Sequence, residues 1–195
     1  MLPASLLKRV RELHTGPDRG YHAWTHPEAL LRLLPEVRGQ LEDPLAVECA
    51  ILLHDAVYEP ARADNERRSA ALARELLAGL VPAETLERTQ RLIMATSRHE
   101  VPEGVSAREA EDARIFLDMD LSILGAPDDA FDAYEAGVRH EYRHVALAAF
   151  NQGRAAILER FLARDRLFLS DWGRARFEAK ARDNLRRSLE ALRNN

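Results

Sequence analysis

The chain has 195 residues, a net charge of −4 and a pI of about 6.0. This length is enough for one domain with a well-buried core, and a hydrophobic share of 46% argues against disorder. The acidic balance argues against coating nucleic acid, which needs a basic face. A single cysteine, Cys49, excludes an intramolecular disulfide. Because no run of about 18 apolar residues occurs, we expect a cytoplasmic protein with no membrane partner.

Apolar residues recur with the 3.6-residue period of a helix, whereas the period-2 alternation of strands is absent. We therefore predict an all-α fold, a single-domain helical bundle over residues 1–195, with its core at about 20–125 and C-terminal helices at about 127–195. The expected helices cover about 3–14, 26–37, 44–55, 65–79, 82–98, 106–124 and 171–192. Between about 127 and 164 the pattern allows either one long helix or a break.

Local signals mark several helix starts. Thr25 and Glu28 form a capping-box pattern, and so do Ser106 and Glu109. Asp43 precedes a proline at the first helical position of the next helix.

The most unusual stretch is CAILLHDAVYEP, in which His54 and Asp55 end an apolar run. A helix of that composition belongs in a core, and a carboxylate buried there costs several kcal/mol unless a positive group compensates. A divalent metal ion would compensate, and histidine and aspartate are both good ligands for one. The pair therefore predicts a metal site that needs further ligands from elsewhere in the chain.

Helical phase selects the polar residues that share a face with core positions. His54 continues the apolar face of its helix, and Asp55 lies beside it on the flank. The same spacing places His26 and Asp120 on the apolar faces of two other helices. Asp118 lies about 200° round the helix from Asp120 and should point elsewhere. Four inward polar residues thus have the types that a metal shell needs, with water in the remaining positions.

The order His…His-Asp…Asp on a helical chain resembles the HD superfamily of metal-dependent phosphohydrolases. The stretches YHAWTHPEALL, LLHDAVYEP, DNERRSA and FLDMDLSILG look like those of a group of predicted bacterial HD-domain hydrolases of similar length. The resemblance spans most of the chain and implies four metal ligands: His26, His54, Asp55 and Asp120. It makes residues 20–125 a metal-site core. Mn²⁺, Fe²⁺, Zn²⁺ and Mg²⁺ are the candidate ions, and this shell favours a transition metal over Ca²⁺.

The stretch from Tyr21 to His26 also resembles helical cyclic-nucleotide phosphodiesterases, in which the first histidine of such a pair is the general acid. That resemblance implies that His22 protonates a leaving alkoxide, a role that suits a group titrating near neutrality. Asp55 or a neighbouring carboxylate would accept a proton from the attacking water. The rest of the phosphodiesterase pattern, including its glutamine region, is not identified, so cyclic nucleotides are not implied.

Six further residues are weaker candidates. In some family members carboxylates after the HD pair activate water or bind a second ion, and the corresponding residues here are Glu59, Asp64 and Glu66. His99 could reach a second metal or the substrate phosphate, and Arg139 and Tyr142 could line the pocket as contacts to the phosphate and to a base or sugar.

Plainer interpretations stand beside these. His54 and Asp55 could be a hydrogen-bonded core pair, and His22 could be a packing residue. Asp64 could simply cap a helix, and Glu66 could be a solvated carboxylate stabilised by the helix dipole. The run RHEYRH is most often a solvated face.

The sequence thus predicts a metal-dependent phosphohydrolase acting on a nucleotide or a small phosphorylated metabolite. A metal-binding HD-like regulatory or ligand-binding module with little or no turnover is the alternative, and a purely structural metal is a third. The charge-rich last helix is expected to lie outside, packed on its own chain or on a second copy in a homodimer.

Overall fold

The structure is a computed structural model that describes residues 2–193. Over that range it contains nine α-helices and two 3-10 helices, and apart from an isolated bridge between Ala78 and Val81 it has no β-structure. The α-helices are α1 (Ala4–Leu13), α2 (Thr25–Val37), α3 (Pro44–Leu53), α4 (Asn65–Leu77), α5 (Ala83–Ala95), α6 (Ala107–Asp120), α7 (Asp128–Glu141), α8 (Leu147–Leu162) and α9 (Asp171–Arg193). The 3-10 helices cover Arg38–Gln40 and Leu121–Gly125. The predicted all-α class is confirmed.

Hydrogen bonds confirm two of the predicted helix starts. The Asp43 carboxylate accepts a hydrogen bond from the backbone N–H of Ala46 at 2.9 Å, and Pro44 is the first residue of α3. The Ser106 hydroxyl accepts one from the N–H of Glu109 at 3.1 Å. Both side chains therefore satisfy amide groups that a helix start leaves without an internal partner.

The capping box predicted at Thr25 is wrong. Helix α2 begins at Thr25 itself, after Trp24 in a helical conformation, and no side chain caps it. The N–H of His26 already bonds to the carbonyl of Ala23 at 3.0 Å. Because the helical turn has started before Thr25, this residue lies inside the first turn rather than at the capping position.

The stretch between residues 127 and 164 forms two helices, α7 and α8, joined by a short turn. Arg139 holds this turn, because its guanidinium donates to the carbonyls of Tyr142 at 2.7 Å and Val145 at 3.2 Å. These two carbonyls lie just beyond the end of α7. The side chain therefore fixes the angle at which α8 leaves α7.

Helix α3 is central to the first of two apolar clusters. Seven of its ten residues are buried, which is the pattern of a helix enclosed on all sides. The cluster also takes buried side chains from α1, α2, α4, α5 and α6. A second cluster joins the 3-10 helix Leu121–Gly125 to α7, α8 and α9.

Asp118 links the start of α9 to α6. Its buried carboxylate accepts hydrogen bonds from the backbone N–H groups of Leu169 and Ser170, both at 2.7 Å, and from the Ser170 hydroxyl at 2.6 Å. A Cβ atom at Gly173 would lie 2.3 Å from this carboxylate, so only glycine allows the approach. Asp118 points away from Asp120, as predicted.

None of the helices over residues 2–193 combines the length and the hydropathy that a membrane crossing needs.

Candidate metal centre

Three helices bring His26, His54 and Asp120 together. His26 lies in the first turn of α2, His54 directly follows α3, and Asp120 is the last residue of α6. Nε2 of His26 and Nε2 of His54 are 3.0 Å apart. Oδ1 of Asp120 lies 3.1 Å from the first of these nitrogens and 3.3 Å from the second. Both rings are buried. We call these three residues the donor triangle.

The dimensions of the donor triangle suit a metal ion. Neighbouring ligand atoms bound at 2.0–2.1 Å to a tetrahedral or octahedral ion lie about 2.8–3.4 Å from each other. The three observed separations fall in that range, and the three residues can each offer one ligand atom. Two imidazole nitrogens and a carboxylate oxygen also form a donor set that suits first-row transition metals.

The second nitrogen of each ring is anchored. His54 Nδ1 lies 3.2 Å from the carbonyl oxygen of Ala50 and 3.1 Å from that of Ile51, so it must donate. In the neutral ring this tautomer leaves a lone pair on Nε2, directed into the triangle. His26 Nδ1 pairs with the Tyr21 hydroxyl at 2.8 Å. Both rings are thus oriented as metal-binding histidines usually are.

Asp55 lies beside the donor triangle. Its Oδ2 is 3.0 Å from His54 Nε2 and 3.7 Å from His26 Nε2. Arg19 fixes the turn that carries it, donating to the carbonyls of Asp55 at 2.9 Å and Ala56 at 3.0 Å. The Asp55 side chain is 18% exposed, so its carboxylate contacts the histidines and is also accessible to solvent.

The charges in this group oppose one another. Burial disfavours a charge on His54, but the carboxylates of Asp55 and Asp120 outweigh it and raise its pKa well above the ordinary value. At His26 burial prevails and lowers the pKa. Burial also opposes ionisation of Asp120, yet His54 and hydrogen bonds from the histidines hold its pKa well below the usual range. The two carboxylates thus favour a positive charge beside them, and a divalent cation would supply it.

His99 reaches the same carboxylate from the other side. Its Nε2 lies 2.9 Å from Asp120 Oδ2, while Oδ1 faces the donor triangle. The His99 backbone has φ 52°, a left-handed conformation that costs energy in a residue other than glycine. The described chain holds one non-glycine residue in that conformation, and it lies at the candidate site.

A buried glutamate holds His22. Glu141 Oε2 lies 2.8 Å from His22 Nδ1 and accepts a hydrogen bond from the Tyr58 hydroxyl at 3.0 Å. The imidazole also stacks on the Tyr58 ring at 4.0 Å. Burial would lower the pKa of His22, but Asp55 and Glu141 together raise it. Its ring is therefore favoured in the protonated, proton-donating form.

The other oxygen of Glu141 fixes the backbone before α2. Oε1 accepts hydrogen bonds from the N–H groups of Gly20 at 2.9 Å, and of Tyr21 and His22 at 2.8 Å. This contact requires the loop to cross α7 closely, because a Cβ atom at Gly20 would lie 2.2 Å from the carbonyl oxygen of Gly137. Glycines at this crossing thus allow one carboxylate to hold both the loop and the His22 ring.

Glu141 was missed in the sequence because it lies in RHEYRH, a run that is usually solvated. The signal was nevertheless present. Phe131, Val138 and Glu141 follow one another at helical spacing, and all three are buried. The phase argument that selected His54 would therefore have selected Glu141 as well.

The site opens into a cavity of about 680 Å³. His22, His54, Asp55, His99 and Asp120 line one side of it. His26 is not part of the lining, because it lies behind the others. The volume is in the range of small-molecule sites, so the donor triangle borders a space that a ligand could fill.

The remaining sequence candidates take different positions. Tyr142 and Glu66 line the cavity. Arg139 does not, because the carbonyls after α7 occupy its guanidinium. Glu59 pairs with Arg68, and Asp64 pairs with Arg62 and Arg67 without capping α4. The structure thus brings His22, His99 and Asp55 to the donor triangle but not Arg139, and the roles of all the candidates stay predictions.

Searches of protein-family models, curated proteins and solved structures found no match to this chain. The fold and the site together define an all-α protein with a candidate His-His-Asp metal centre.

Proposed function

We propose that this protein is a metal-dependent phosphohydrolase that acts on a nucleotide or a small phosphorylated metabolite. One observation carries the proposal. The donor triangle and His22, a histidine held by a buried glutamate, both meet the same cavity. A cation site and a proton donor beside one ligand space are the parts that phosphoester hydrolysis needs.

In this proposal His26, His54 and Asp120 hold the ion, with Asp55 as a fourth ligand or as the base that accepts a proton from water. A divalent ion supplies Lewis acidity, which makes water nucleophilic at neutral pH and withdraws charge from a phosphoryl oxygen. Support for the role of Asp55 comes from its position, since its carboxylate is close to both rings yet remains partly exposed. His99 would keep Asp120 oriented through the carboxylate oxygen that does not face the triangle.

His22 supplies the proton for the leaving alkoxide. Its Nδ1 is committed to Glu141, so Nε2 is the nitrogen free to donate. Burial lowers the pKa of His22, whereas Asp55 and Glu141 raise it; with an ion at Asp55, Glu141 is the group that favours a proton on this ring. Glu141 therefore acts as a positioning residue: it sets the ring orientation and stabilises the imidazolium.

The proposal is tested by metal content and turnover measured on the same preparations. We expect about one transition-metal ion per chain by mass spectrometry, and hydrolysis of phosphate esters in a Mn²⁺-supplemented screen. His54→Ala should lose both the ion and the activity. His22→Gln should keep the ion and lower kcat by about 100-fold or more, the usual contribution of general acid catalysis.

His140→Ala is the matched control, because His140 is exposed and the described hydrogen bond of its side chain goes to the carbonyl of Pro17. It should retain both ion and activity. A folded wild-type protein that binds no ion would overturn the metal centre. An ion with no turnover of any ester would instead favour a metal-binding regulatory module.

A further inference from the structure

The cavity beside the donor triangle has a second, apolar side. Helix α7, the turn after it and helix α8 contribute six large side chains: Tyr134, Val138, Tyr142, Phe150, Ile157 and Phe161. We call these six residues the apolar wall. It faces the same space as the polar groups of the metal centre, so a ligand anchored by a phosphate at the triangle would extend along it.

Most of the apolar wall lies at the edge of the packed core, with Tyr134 and Phe161 resting against the second cluster. Five of its six side chains are half-buried, and only Val138 is buried. Apolar area left in contact with water forgoes about 25 cal/mol per Å² that burial would supply. A cluster of such side chains around one cavity is therefore typical of a surface that a ligand covers.

The charged group at this side of the cavity is already paired. Arg154 is buried, it forms an ion pair with Glu135, and it donates to the Tyr134 hydroxyl at 2.7 Å. These contacts occupy Nε and Nη2, so Nη1 is the nitrogen of Arg154 that is left for the hydroxyls of a sugar or the edge of a base. A polyhydroxylated group placed here would lose more hydrogen bonds to water than this nitrogen and the Tyr142 hydroxyl can replace.

Gly153 gives the apolar wall an open segment. It lies inside α8 and lines the cavity, and a Cβ atom built there would meet nothing within 4 Å. Close packing therefore does not require glycine at this position, although glycine destabilises a helix interior. What its missing side chain provides is space beside Phe150 and Ile157.

We infer that the substrate carries an aromatic or branched aliphatic group with few hydroxyls, which the apolar wall covers while the phosphate binds at the donor triangle. This inference rests on the proposed phosphohydrolase function and names its substrate class. In this inference the apolar wall is the surface that selects the organic group of the phosphate ester.

The test compares primary alkyl phosphates, whose leaving groups have similar reactivity. Benzyl phosphate and isoamyl phosphate represent the proposed class, and glycerol phosphate, a hexose phosphate and adenosine monophosphate represent the polar alternatives. With Mn²⁺-loaded protein we expect kcat/KM for the first two to exceed that for the others by about tenfold or more, mainly through KM. Binding of benzylphosphonate, measured by calorimetry, gives a readout that does not depend on turnover.

Gly153→Leu should fill the open segment and raise both KM for benzyl phosphate and the Kd of benzylphosphonate by about tenfold, while its metal content stays at the wild-type level. Gly39→Leu is the matched control, because a Cβ atom at Gly39 also meets nothing within 4 Å but the residue does not line the cavity. The inference would be overturned if kcat/KM for the polar esters equalled or exceeded that for benzyl and isoamyl phosphate. An unchanged Kd of benzylphosphonate in Gly153→Leu would overturn it as well. If no ester is hydrolysed but benzylphosphonate still binds in a Gly153-dependent way, the phosphohydrolase proposal fails and the apolar site stands.

Discussion

The two sides of the cavity are built by different means. At the donor triangle His54 and His26 each have their second ring nitrogen hydrogen-bonded, and His22 is likewise fixed by Glu141. The apolar wall is held mainly by packing, with one hydrogen bond from Arg154 to the Tyr134 hydroxyl, and five of its six side chains are half-buried. Hydrogen bonds thus fix the groups that would perform chemistry, whereas packing leaves the ligand surface tolerant of change. Substitutions on the two sides should therefore affect different measured quantities.

Removing a ligand from the donor triangle should have the largest effect. We expect Asp120→Ala to lower the affinity for Mn²⁺ or Zn²⁺ by about 100-fold or more, since even residues that only orient metal ligands cost 10–100-fold. Isothermal titration calorimetry on metal-stripped protein measures this directly.

Asp118→Ala is the matched control, two residues away on the same helix. It should bind metal normally but lose about 3 kcal/mol of unfolding free energy, because two buried donors of Ser170 and the half-buried N–H of Leu169 lose their acceptor. Wild-type metal affinity in Asp120→Ala would contradict the assignment of the triangle.

Glu141→Gln should act on rate rather than on metal. The amide cannot stabilise the His22 imidazolium as the carboxylate does, so we expect kcat to fall by about 100-fold with metal content unchanged. Tyr58→Phe is the control, since it removes only the hydroxyl that donates to the same carboxylate oxygen. A Glu141→Gln variant with wild-type kcat and a wild-type pH profile would show that Glu141 only fastens the loop.

The folded protein should also lose stability in acid through His14, a buried histidine just after α1. Burial lowers the pKa of His14 from 6.5 to about 4, so the unfolded chain binds a proton more readily than the folded chain. Stability from this group is complete above pH 6.5 and is lost as the pH falls towards 4.

We expect His14→Leu to remove this dependence. Between these two pH values the unfolding free energy of the wild type should drop by about 2 to 3 kcal/mol relative to the variant. Urea titrations at both pH values measure the difference. Parallel pH dependence in the two proteins would show that folding does not lower the pKa of His14.

The smallest effect is expected from a substitution at Gly153, beside the apolar wall. Gly153→Ala should raise the unfolding free energy by about 0.5 to 1 kcal/mol, because alanine favours a helix and nothing obstructs its Cβ atom. Gly173→Ala should destabilise instead, since its Cβ atom would collide with Asp118. Thermal unfolding of both variants checks the contrast, and destabilisation by Gly153→Ala would mean that α8 has no open space there.

Helical phase was sufficient to predict the fold class and the donor triangle, because His26, His54 and Asp120 continue apolar faces of their helices. It failed where a contact depends on loop conformation. Nothing in the local sequence shows that His99 adopts a positive φ or that Arg139 turns back to the carbonyls after α7. Both depend on how distant elements meet, which periodicity does not encode.

The bonds from Glu141 to the loop before α2 also bear on the order of folding. They join residues 119 to 121 positions apart, so closing that contact costs much chain entropy and should come after the local helices form. The amides of Gly20, Tyr21 and His22 are satisfied only once α7 has docked. In native-state hydrogen exchange they should open together, as one cooperative unit, before the core around α3 does. The loop that carries His22 would thus be fixed last during folding and open first in the native state.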